Sequence, residues 1–210
     1  MNAAGEAPPR TLVVACGALA RELLAVRDLN GWTHVEVECL PASLHNAPAR
    51  IPDAVAAKLA AARGRFDRVL CLYGDCGTGG RLDRVLEAAG VERIAGDHCY
   101  AFYAGLDAFM ALHEAEPGTF YLTDYLVRHF ETLVIRGLGI DRHPELLADY
   151  FGNYRRVVYL AQGEDPALDA LAATAAARLG LAFEIRRTGL GGIARFVAER
   201  TLGEGAAWRS

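Results

Sequence analysis

Short apolar runs alternate with amphipathic stretches along most of this chain. The first run, TLVVAC at 11–16, is continuous and suits a strand buried on both faces. The stretch 18–29 repeats apolar positions at helical spacing, with Leu19, Leu23, Leu24 and Val26 on one face and Asn30-Gly31 as its stop. HVEVECL at 34–40 alternates and predicts a less buried strand. Further strands are predicted at 68–73, 92–95, 119–122, 156–160 and 182–186. Further helices are predicted at 53–63, 82–89, from 99 through about 113, 124–135, 141–149, 166–179 and 193–200. Asp53 is the expected cap of its helix and Asp124 of another.

Strand, loop and helix in repeated order predict an α/β fold: a mostly parallel sheet with flanking helices in Rossmann-like layers. Residues 1–10 read as a flexible arm and 201–210 as a tail. Between them, 11–200 read as one domain or two closely packed lobes, a division that 210 residues permit.

Composition narrows the function classes. Apolar residues make up 52% of the chain, well above disordered composition. The net charge is −4 and no basic run exceeds two arginines, so nucleic acid is not an expected partner. No apolar stretch reaches the ~18 residues of a membrane span, and MNAAGEAPPR has no apolar signal core. The expected compartment is the cytoplasm, where five cysteines do not build a disulfide framework.

Three of those cysteines stand where a predicted strand ends: Cys16 in LVVACGALA, Cys76 in VLCLYGDCGTGG and Cys99 in RIAGDHCYAFYAG. Strand carboxyl ends share one rim of a parallel sheet, and ligands bind there. Singly, each is a small core residue; together they predict a shared site. Three thiolates would hold tetrahedral zinc with one position open, or a 4Fe-4S iron–sulfur cluster with one iron free. Each cysteine precedes a loop or helix start, where the helix dipole favours thiolate. Cys71 lies within an apolar strand and reads as core, and Cys39 as structural.

GDCGTGG lacks the Walker lysine and the GxGxxG spacing, so a nucleotide loop is disfavoured. Gly74, Gly77, Thr78, Gly79 and Gly80 instead let a ligand approach Cys76, and Asp75 orients a neighbour or accepts a hydrogen bond. His98, beside Cys99, is a proton carrier or supports the ligands. His45, in the long loop PASLHNAPARIP, belongs to the same rim by topology. His129 reads as a helix-surface residue.

The motifs ACGALA, LPASLHNAP, YGDCGTGG, HCYAFYAG, GTFYLTDYLVRHF, GLGIDRHPEL and YFGNYRRVVYLAQ resemble those of a bacterial and archaeal family called domain of unknown function 1638. The resemblance runs from Thr11 to Gly191. It brings no activity with it. It implies that Cys16, His45, Asp75, Cys76, His98 and Cys99 form the site, and it suggests company with corrinoid-dependent methyl metabolism, hence a corrinoid or methyl-transfer protein as partner. Four functions stay open: a metal-dependent enzyme acting on a small-molecule substrate, a binding protein for a metal, corrinoid or small molecule without turnover, a metal-free enzyme with a cysteine nucleophile, and a purely structural or interaction protein with its three cysteines far apart.

Overall fold

The strand β1 (Thr11–Cys16) is buried along its whole length, as its unbroken apolar run requires. In the computed structural model, which describes residues 7–203 and 207–209, it lies inside a sheet with a neighbour on each side. The expected arm falls partly on residues 1–6 and the expected tail partly on 204–206 and 210, all outside the described residues. Of the tail, 201–202 belong to the last helix, and Arg209 N–H donates to Asn30 Oδ1 at 2.7 Å.

The chain forms two units, Met1–Leu106 with Leu190–Ser210, and Asp107–Gly189. The first unit holds β1, β2 (Val35–Leu40), β3 (Arg68–Leu72) and β4 (Glu92–Arg93) in the order β2-β1-β3-β4, all parallel. Its helices are α1 (Ala20–Leu29), α2 (Ile51–Ala62), α3 (Arg81–Ala89), α4 (Tyr100–Ala104) and, after the second unit, α9 (Gly191–Leu202). The second unit carries a parallel sheet β5 (Thr119–Thr123), β6 (Arg156–Ala161) and β7 (Ala182–Arg187). Its helices are α5 (Leu106–Ala115), which begins at the unit boundary, α6 (Asp124–Arg128), α7 (Leu146–Phe151) and α8 (Pro166–Leu179).

Helix α8 shows how local chemistry sets an element. Asp165 accepts from the N–H groups of Ala167 and Leu168, Pro166 opens the helix, and Gly180 closes it at φ +70°. Its Leu168, Ala172, Ala175, Ala176 and Leu179 are buried in one core with Leu122, Val157 and Tyr159 of the sheet.

Several expected elements differ. The single helix from 99 to 113 is two, because Gly105 breaks it at φ +82°. The helix 124–135 is α6 followed by a π-helical turn, Glu131–Arg136. The helix 141–149 starts later, at Leu146. Asp53 is not a cap; it stands in the first turn of α2, where Arg50 precedes the helix without a side-chain bond. Nor does Asp124 cap α6. Thr123 does, while the Asp124 carboxylate accepts from Tyr159 O–H at 2.6 Å and Gln162 N–H at 3.1 Å and so ties β5 to β6. Leu24 lies on the exposed side of α1 and buried Glu22 stands on its inner face. No helix of the described residues is long and apolar enough to cross a membrane.

Candidate functional site

In the first unit the chain leaves β1 for β2 on one side and then returns to β3 on the other. Loops that diverge in this way open a crevice beyond the strand carboxyl ends, and parallel sheets use it for ligands. Cys16 is the last residue of β1. Cys76 stands in the loop after β3, and Cys99 follows β4 and immediately precedes α4.

Two glycine seams bring the flanking segments in. A Cβ on Gly17 would lie 2.9 Å from the Leu40 carbonyl oxygen, so the exit of β2 runs hard against the residue after Cys16. The 3₁₀ turn Ala42–Asn46 then carries His45, whose Nδ1 is 3.9 Å from Cys16 Sγ. A Cβ on Gly74 would lie 2.8 Å from the Asp97 carbonyl oxygen and 3.0 Å from His98 N. Cys76 N–H donates to that same Asp97 carbonyl at 2.9 Å. This seam sets the 97–99 segment beside the cysteine loop. Arg93 braces it further, bonding Asp83 on α3 and the carbonyls of Ile94 and Gly96.

Cys76 itself has φ +51°, a left-handed conformation that L-residues with a Cβ avoid. Such strain costs on the order of 1–3 kcal/mol and gathers at functional sites.

Electrostatics tie the three cysteines together. Burial raises the Cys16 thiol pKa, opposed by the Ala18 N–H and the Tyr73 hydroxyl. Burial, then the charge of Cys16, pushes Cys76 up to about 11. Cys99 is raised by burial, then by Cys76 and Cys16. Each therefore lies within the field of the others. Cys39 also feels Cys16, after burial as the larger cause. Cys71 is fully buried and burial pushes it to about 12, as a core thiol should be.

The expectation that helix starts would favour thiolates is corrected here: desolvation wins. A 3₁₀ turn separates Cys16 from α1, and α4 has only five residues with which to build a dipole. His45 is lowered, first by desolvation and then, against a backbone bond at Ala42, by His98. It is a neutral imidazole near pH 7.

Asp75 serves its own loop. Its carboxylate accepts from Thr78 O–H at 2.6 Å, Gly80 N–H at 2.8 Å and Gly79 N–H at 3.1 Å. The carboxylate thus occupies the place that an anion bound by these glycine N–H groups would take. Desolvation would raise its pKa, but these bonds outweigh it and hold the carboxyl down at about 2. The stabilisation this gives is complete above the unfolded value near 3.8 and is lost as pH falls toward about 2. Thermal melts between about pH 5 and about pH 2 are expected to fall more steeply for the wild type than for Asp75→Asn. Parallel acid limbs would show that the loop does not depend on this carboxylate.

Three residues of the site were missed in the sequence: Tyr73, Glu22 and Arg93. Glu22 is 5% exposed and its charge raises Cys99. A carboxylate at helical spacing between Leu19, Leu23 and Val26 was the available signal. Among the described residues, no group of three or more His, Cys, Asp or Glu side chains stands in metal-ligand geometry.

Among solved structures, the ornithine carbamoyltransferase from Pyrococcus furiosus is similar over 84% of this chain, with 14% identity and a TM-score of 0.25. This chain spans 53% of that protein's length. No curated protein matches. A family model described as "protein of unknown function (DUF1638)" matches residues 39–197. The match takes in His45, Asp75, Cys76, His98 and Cys99 and begins after Cys16. With most of its length matched, the chain belongs to the DUF1638 family.

Proposed function

We propose that this protein binds one zinc ion through Cys16, Cys76 and Cys99 and uses it for chemistry on a small molecule. The observation that supports the reading is that three thiols, each following a strand of one parallel sheet, stand near enough for the charge of Cys16 to raise Cys76 and for both to raise Cys99. Burial and mutual repulsion both oppose their ionisation, and no disulfide joins them. A divalent cation supplies the missing charge and deprotonates its thiol ligands. The same opposition weakens the metal-free nucleophile, which needs a thiolate at neutral pH.

His45 Nδ1 lies 3.9 Å from Cys16 Sγ. A zinc held by three thiolates leaves one position open, and a neutral imidazole beside one of those ligands is placed to exchange a proton with a group bound there.

The zinc would polarise a substrate group or activate a thiol in its open position. The chain's own groups do the rest. The three thiolates hold the ion, neutral His45 accepts a proton beside Cys16, and His98 serves the Cys99 side. Gly77 adds no side chain beside Cys76, while Gly74 is taken up by the Asp97–His98 backbone. A corrinoid or methyl-transfer protein as partner belongs to this proposal on the family resemblance alone.

Elemental analysis and an absorption spectrum of anaerobically purified protein test it. About one zinc per chain in a colourless protein is expected. A brown protein containing iron would replace zinc with a cluster. No metal, with selective alkylation of Cys76 or Cys99 at neutral pH, would sink the proposal in favour of a thiol enzyme.

A further inference from the structure

Tyr73 follows β3 directly. The pairing of β1 with β3 ends at Ala15 opposite Leu72, so the next step of the register sets Tyr73 across from Cys16. Parallel neighbours in register present their side chains on the same face. The ring is 1% exposed, and the hydroxyl is sealed from solvent without a hydrogen bond of ordinary geometry to any described group. A buried phenol O–H without a partner of ordinary geometry costs on the order of 1–3 kcal/mol, and this one is retained within the field of the Cys16 sulfur. Three cysteines lie within its field, Cys16 first, then Cys71, then Cys76, and Cys16 is the one that also stands across from it in the register.

We propose that the Tyr73 hydroxyl is the hydrogen-bond donor to the Cys16 sulfur in the metal-bound state, and so a positioning residue that sets the donor strength and orientation of that ligand. This rests on the zinc reading above. A thiolate keeps lone pairs after binding a metal, and a donor aimed at one of them withdraws charge from the sulfur and fixes its rotamer. Partners of this kind are worth about 10–100-fold in metal affinity. The arrangement also explains why an aromatic with a hydroxyl directly follows the buried end of β3.

The probe is cobalt(II), which reports its thiolate ligands through sulfur-to-metal charge-transfer absorption. Wild type and Tyr73→Phe are loaded with cobalt and titrated against a chromophoric chelator. Tyr73→Phe is expected to keep one cobalt per chain, to bind it about 10-fold or more weakly, and to move the charge-transfer band to longer wavelength, because the sulfur regains electron density. Wild type biosynthetically labelled with 3-fluorotyrosine has a more acidic phenol and is expected to move the band the opposite way. This second arm needs no substitution that threatens folding, and a purely structural tyrosine would not produce it. Unchanged band and affinity in both arms overturn the role of Tyr73 while leaving the zinc site standing. Wild type that takes up no cobalt overturns the zinc reading and this inference together.

Discussion

Cys76→Ser is expected to abolish the proposed zinc binding while leaving the protein folded. A hydroxyl is a far weaker donor than a thiolate, and serine does not ionise near neutral pH even beside a cation. Loss of groups that merely support a ligand costs about 10–100-fold in affinity, so loss of one of three ligands should exceed about 100-fold. Occupancy measured by elemental analysis after dialysis should then fall close to zero. Cys16→Ser and Cys99→Ser should behave alike, because the three sulfurs share one field. Cys39→Ser is the control: it is half-buried, feels Cys16 only secondarily, and should retain zinc. Stoichiometric zinc in Cys76→Ser would remove this residue from the ligand set and the three-cysteine site with it. Cys76 also adopts φ +51°, so Cys76→Gly would relieve backbone strain yet still lose the metal. Such a variant, more stable but empty, would separate the conformational role of the position from its sulfur.

Gly192→Ala carries the largest expected loss of stability. A Cβ at this position of α9 would stand 2.1 Å from the carbonyl oxygen of Phe102 and 3.0 Å from its carbonyl carbon, both backbone atoms of α4. No rotamer relieves such a clash, so one helix must move from the other. Phe102 is 1% exposed and Gly192 stands at the start of α9, whose Ile193 and Ala194 are fully buried, so the movement would open the core. The cost should be about 3 kcal/mol or more, read as a fall of roughly 10 °C in melting temperature. Because Cys99 immediately precedes α4, zinc affinity should weaken in parallel. A melting temperature within about 2 °C of wild type would mean that α4 and α9 do not approach so closely.

Much of the fold was legible because it is local. The continuous apolar run of β1, the Asp-Pro start and Gly stop of α8, and the alternation in β2 each report one element's own environment. What misled was competition between local signals. Asp124 has the chemistry of a cap, but Thr123 precedes it with a hydroxyl in reach, and a buried tyrosine on β6 claims the carboxylate. Asp75 looked like a group available to a neighbour, yet its own glycine-rich loop surrounds it with donors. Glu22 is invisible to any rule that sends carboxylates outward.

The sequence by itself determined that strands alternate with helices, and that three cysteines each follow a strand, since both are properties of short windows. Only the tertiary structure decided that the chain divides into two sheets, that β1 stands between β2 and β3 so that Cys76 comes within the field of Cys16, and that burial raises every one of these thiols. Strand order and desolvation arise from contacts between distant residues, such as Gly74 against Asp97 or Tyr73 across from Cys16, and no local window records which distant surface will come to rest against it.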